Sequence, residues 1–116
     1  MKASAPRMLL VLCACPDEAT AESLAEDAVG AHLAACASLL PGLRSVYRWE
    51  GRIQRAQEVL LMLKTTPAHW DVLRDRLAAA HPYELPEIVA VEPATGLAGY
   101  LQWVADETAP SLPGHR

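Results

Sequence analysis

The sequence predicts an α+β fold with elements in the order β-α-β-β-α-β and one more helix at the end. Three observations carry that prediction. An unbroken apolar octet, Met8 to Cys15, runs into a capped helical pattern. Two long strand-like runs, Cys36 to Trp49 and Arg52 to Thr65, meet at Glu50-Gly51. A second helical pattern then stops at a proline-bracketed turn that leads into Ile88-Val89-Ala90-Val91. Two right-handed β-α-β crossovers joined by a hairpin give a ferredoxin-like sandwich, an antiparallel sheet with helices on one face.

The first strand, lacking polar alternation, reads as buried on both faces. Asp17 then supplies a helix N-cap, and Glu18 suits the positive end of the helix dipole. Ala21, Leu24, Ala25, Ala28 and Val29 recur at helical spacing, a small-residue face able to lie close on a sheet, and the helix is expected to reach about Leu33. Pro41-Gly42 interrupts the second strand and implies a bulge or an edge position. Beyond it Arg44, Val46 and Arg48 face one way and Ser45, Tyr47 and Trp49 the other. In the third strand Val59-Leu60-Leu61-Met62-Leu63 reads as fully buried. Thr66-Pro67 starts the second helix, whose buried stripe is Trp70, Leu73 and Leu77. Leu97, Tyr100, Leu101 and Val104 make the apolar side of the last helix.

His81-Pro82-Tyr83-Glu84-Leu85-Pro86-Glu87-Ile88 is chemically the richest stretch. Each proline fixes its own φ and pushes its predecessor out of the helical region, so His81 and Leu85 are expected to be extended. A plain connector needs only glycine and serine. This turn instead carries an imidazole, a phenol and two carboxylates, groups that bind cations or clamp a subunit contact.

At 116 residues the chain is sized for one domain. Its expected limits are residues 8–108, between an N-terminal tail at 1–7 and a C-terminal tail at 109–116. A hydrophobic content of 52% against 21% charged residues places it among globular chains. The net charge of −4 argues against nucleic acid as a partner, although six arginines between Arg44 and Arg76 concentrate positive charge locally. Three cysteines are an odd number, and the apolar run at the N-terminus is too short for a signal segment or a membrane span. The expected location is the cytoplasm, away from membranes, with the thiols reduced.

The predicted layout leaves one sheet face uncovered, and the hairpin strands are long for the domain (14 residues against a typical ~5–6). The last helix can cover part of that face, and a partner subunit is expected to cover the rest. Tyr47, Trp49 and Tyr83 suit a subunit interface, where aromatic anchors are enriched. Glu84 and Glu87 suit either a hard cation or an arginine across such an interface. Arginines 44, 48, 52 and 55 fit a solvated edge or interchain ion pairs. Cys13 and Cys15 share one face of their strand, so they could meet one soft ion or serve only as packing, and Cys36 reads as packing. His81 fits either a metal ligand or an imidazole at a helix C-terminus. No Gly-X-Ser-X-Gly, phosphate-binding loop, Cys-X-X-Cys or His-Glu-X-X-His is present, so catalysis is not expected.

Five segments together resemble the CutA family of divalent-cation tolerance proteins. They are Ala14-Cys15-Pro16-Asp17-Glu18-Ala19, Leu33-Ala34-Ala35-Cys36-Ala37, Tyr47-Arg48-Trp49-Glu50-Gly51, Glu58-Val59-Leu60 to Lys64-Thr65, and the turn from His81 to Ile88. The resemblance covers nearly all of Met8 to Thr108. It implies a small cytoplasmic homotrimer, similar in subunit to PII signalling proteins, in which the hairpins of neighbours continue each other's sheets. It implies a non-catalytic protein that binds copper or other divalent ions and takes part in the response to metal. Cys13 sits where bacterial relatives have a cysteine ascribed to copper. His81 matches the second of two histidines ascribed to the metal in relatives, and Ala80 stands in place of the first. The alternative implied by the PII likeness is a regulator that binds a small molecule in intersubunit clefts.

Overall fold

The computed structural model describes residues 5–109. The expected tails at 1–7 and 109–116 therefore fall mostly outside the described residues. The elements are β1 (Leu9–Cys15), α1 (Glu18–Gly30), β2 (Cys36–Trp49), β3 (Arg52–Thr65), α2 (Trp70–Ala80), β4 (Ile88–Val91) and α3 (Ala98–Thr108). A single four-stranded sheet has the order β2-β3-β1-β4. Every neighbouring pair is antiparallel, as the ferredoxin-like reading requires.

Register divides the sheet into two chemically different faces. Val11, Cys13 and Cys15 pair with Leu63, Leu61 and Val59, and all six are buried. Onto that face pack Ala21, Leu24, Ala25 and Ala28 of α1 with Leu73 and Leu77 of α2, which completes the main core. The alanines let α1 lie close to the strands. The opposite face carries Leu10, Leu12, Leu60 and Met62, which are only half-buried, along with Leu40, Val89 and Val91, which are exposed. Thus β1 and the run Val59 to Leu63 are not fully buried on both faces within one chain, because α1 and α2 cover only one side. Part of the remainder is met by α3, which packs against β3 and buries Val104 and Thr108 outside the main core. Leu97, expected on the apolar side of that helix, is its exposed N-cap.

Helix α1 begins as predicted, with the Asp17 carboxylate accepting from the Thr20 amide at 2.7 Å. It ends at Gly30 rather than near Leu33. The Leu33 amide donates to the Ala28 carbonyl at 3.0 Å and the His32 amide to the Val29 carbonyl at 3.1 Å. That pair of bonds closes a Schellman motif. His32 takes the left-handed position (φ 59°) usually given to glycine. Its ring compensates, with Nδ1–H donating to the Glu107 carbonyl of α3 at 3.0 Å. At the second helix start, Pro67–His69 forms a 3₁₀ turn before α2. Thr66 makes no cap to the backbone there, and its hydroxyl meets His69 Nδ1 at 2.8 Å instead.

The β2–β3 hairpin is the longest feature of the molecule, which measures 54 × 32 × 22 Å. Its register slips between Leu40 and Leu43, so Pro41-Gly42 forms the expected bulge. Glu50 and Gly51 both have positive φ, 50° and 75°, as a two-residue turn matching strand twist demands. A glutamate is costly there. Glu50→Asn is expected to raise the melting temperature, by relieving part of the ~1–2 kcal/mol that a left-handed residue costs. Leu61→Ala, at a site with no exposed surface, is expected to destabilise the protein by about 2–5 kcal/mol. Thermal or denaturant melts of the two variants check both signs.

Candidate functional site

The site forms where three elements end together. Pairing of β1 with β4 stops at Cys13, so the next carbonyl, Ala14, lies past the last β4 partner. The residue that ends α2 supplies the missing donor. His81 is extended (φ −76°, ψ 139°), as the following proline dictates, and its Nε2 lies 2.9 Å from the Ala14 carbonyl oxygen. A carbonyl can only accept, so Nε2 carries the proton. His81 Nδ1 accepts from the Tyr83 amide at 3.1 Å. Both ring nitrogens of this buried imidazole are thus engaged, and the ring is the neutral tautomer.

Beneath the turn, Cys13, Cys15 and His81 bring their ligand atoms within 4.8 Å of one another, and all three residues are buried. The Cys15 sulfur and burial push the Cys13 thiol well above its ordinary value. The Cys15 thiol lies 3.8 Å from the Cys13 carbonyl, to which it donates. Two sulfurs and an imidazole make a soft donor set suited to copper or zinc. Cys36 stands apart, at the far end of the sheet, where Lys64 Nζ donates to its sulfur at 3.8 Å and to Ser38 Oγ at 2.6 Å.

Beside the cluster opens a cleft of about 760 Å³. Tyr47, Trp49, Tyr83, Glu84 and Glu87 all line it, so the structure gathers these sequence-predicted residues around one space. Cys13 and His81 do not line it. Arg44 and Glu58 complete the charged part of the wall. The Tyr83 hydroxyl donates to Glu58 Oε2 at 2.8 Å. Burial, with that bond, pushes the Tyr83 phenol up, so it remains a donor. The Tyr83 ring also lies against His81, with centroids 4.8 Å apart.

Glu58 is the residue the sequence reading passed over as a site. Its signal was a lone carboxylate at the head of an apolar run, on the same strand face as Leu60 and Met62. By sequence Cys15 fits either packing or ligation, and the structure places it within reach of the other two donors.

The chain is similar to known proteins in both sequence and fold. Residues 9–107 match the family described as CutA1 divalent ion tolerance protein. The divalent-cation tolerance protein CutA of Salmonella newport (strain SL254) is 46% identical over 101 residues, spanning 87% of this chain and 88% of the relative. The crystal structure of CutA from Xylella fastidiosa is 42% identical and superposes with a TM-score of 0.85, over 88% of this chain and 98% of that one. CutA1 from Oryza sativa, at 33% identity, gives a TM-score of 0.87 over 94% and 100% of the two chains. By sequence, topology and the hairpin that shapes the cleft, the chain belongs to the CutA1 divalent ion tolerance family.

Proposed function

We propose that this protein is a non-catalytic homotrimer that binds copper, or another divalent ion of similar softness, and serves the response to metal. The observation that carries the reading is the meeting of Cys13, Cys15 and His81 within 4.8 Å. Thiolates and imidazole select soft and borderline ions over magnesium or calcium. Ligation through His81 has a structural consequence. The ring must give up either the Tyr83 amide or the Ala14 carbonyl, so an ion bound there loosens the turn from 81 to 87. That movement is how metal occupancy becomes a change in shape.

Assembly is inferred from the sheet. Leu40, Val89 and Val91 expose an apolar face, and Val46 and Ile53 on the hairpin are 66% and 60% exposed. Register puts the first three on one sheet face and the last two on the other, so apolar surface is exposed on both, and exposed apolar patches mark interfaces. A second copy is the natural occupant, because a 14-residue hairpin extends beyond its own helices and offers further strand edge. The three free thiols and the need for reduced sulfur fit the cytoplasm. Among the described residues no helix is long and apolar enough to cross a membrane.

A second reading, a PII-like regulator binding a small molecule between subunits, is favoured by the cleft. Its volume of about 760 Å³ lies within the ~300–1,000 Å³ of ligand pockets.

Light scattering is expected to give a mass near three times the 12.5 kDa of the chain. Trp49→Ala is expected to make that assembly dissociate on dilution, and a stable monomer from the wild type would exclude the trimer. For the metal, titration calorimetry on Cys13→Ala and His81→Ala is expected to show copper affinity falling by on the order of tenfold or more, at least the loss seen when a ligand's supporting partner is removed. The double variant should add little, because ligands of one ion act as a unit. Ala80→His should strengthen binding. Affinity should rise with pH, since the ion must displace the proton held on Cys13. Unchanged affinity in both single variants would place copper elsewhere, for example on His115, outside the described residues.

A further inference from the structure

The cleft wall contains a charge that the chain itself does not neutralise. Glu58 is only 8% exposed, yet among the described residues it makes no ion pair. One of its oxygens accepts from the Tyr83 hydroxyl, and the other has no protein partner there. Among the described residues no buried side-chain oxygen lacks a partner, so this second oxygen is reached by solvent and is open to a cation entering the cleft that Glu58 lines. Arg44 lines the same cleft but pairs with none of the carboxylates around it.

The rest of the lining tells what kind of cation fits. Glu84 and Glu87 add two more carboxylates, while Tyr47, Trp49 and Tyr83 add three aromatic rings. Aromatic faces attract ammonium groups and also accept methylene chains. A single metal ion would need the carboxylates to converge. They do not: among the described residues, only Cys13, Cys15 and His81 form a group of three with ligand atoms close together. Carboxylates spaced along an aromatic-walled cleft match a cation whose charges are likewise spaced.

We propose that the cleft binds a linear aliphatic polyamine, with one ammonium group held at the buried Glu58 and another at Glu84 or Glu87, and the methylene stem against Trp49 and Tyr47. The proposal rests on the second reading above, a small molecule in the cleft, and names its chemical class. Its binding groups are distinct from the copper ligands.

The test is calorimetric titration of the assembled, metal-free protein with spermidine, with magnesium chloride and glutarate as separate titrants. Saturable spermidine binding at one site per subunit is expected, with magnesium failing to compete at equal charge. Glu58→Gln should weaken spermidine about tenfold, the size of one charge-assisted hydrogen bond. The double variant Glu84→Gln/Glu87→Gln lies at exposed positions where folding is not at stake, and should weaken it comparably. Magnesium binding in place of spermidine, or spermidine affinity unchanged in both variants, would overturn the proposal. So would Glu58→Gln dissociating the assembly without spermidine having bound the wild type, since an arginine of a neighbouring copy would then be the partner. Glutarate binding without spermidine would overturn the polyamine and leave the small-molecule reading standing. No binding of either would end both.

Discussion

One buried imidazole holds the functional end of this molecule together. His81 donates to the Ala14 carbonyl, just past the last residue that β4 can pair, and accepts from the Tyr83 amide. Buried backbone polar groups left without partners cost free energy comparable to a lost hydrogen bond, so these contacts decide where the turn sits. With the turn fixed, Tyr83 is placed to reach Glu58 on β3, and Glu84 and Glu87 follow into the cleft. A glutamine or asparagine could make one of the two bonds. Imidazole makes both from opposite sides of one flat ring, which suits a position squeezed between a strand end and a turn.

The sheet explains why the site lies where it does. Register places Cys13 and Cys15 on the face that α1 and α2 cover, and Ala14 and Glu58 on the other. The end of β1 is therefore a boundary between a dry sulfur-lined interior and a charged, open cleft. The long hairpin supplies the second wall of that cleft. Tyr47 and Trp49 are carried on β2 past the bulge at Pro41-Gly42, on the same face as Glu58. Without the bulge, the strand beyond it would turn the opposite set of side chains onto the face of Glu58.

Much of the fold was legible because local chemistry and tertiary structure agree. Gly51 marks the hairpin turn, Pro41-Gly42 the bulge, Asp17 the start of α1 and Pro82 the end of α2. The misreadings fall where a distant contact decides. α1 stops at Gly30 because His32 adopts a glycine-like conformation, secured by a carbonyl on α3 that lies 75 residues away in sequence. The run Val59 to Leu63 reads as buried throughout because its outward members are as apolar as its inward ones, although one chain covers only the inward side. The site followed the same division. Residue types within the turn from 81 to 88 pointed to the right neighbourhood. The importance of Glu58 depends on Tyr83, 25 positions later, and no local pattern announces that bond.

The sulfur cluster and the cleft are physically linked, because His81 belongs to the cluster and holds Tyr83, which lines the cleft. Its Nδ1 lone pair is directed at the Tyr83 amide, and its Nε2 proton at the Ala14 carbonyl. Taking an ion at Nδ1 frees Tyr83, and with it the hydroxyl that holds Glu58. Taking an ion at Nε2 requires loss of the ring proton and leaves the Ala14 carbonyl without its donor. The first route disturbs the cleft and spares the strand, while the second disturbs the strand itself. The first is also the cheaper, since the Tyr83 amide sits in an exposed turn where water can replace the imidazole. On the proposed metal reading, ion binding and cleft geometry are coupled through one residue, and by linkage whatever orders the cleft would in turn weaken the hold on the ion.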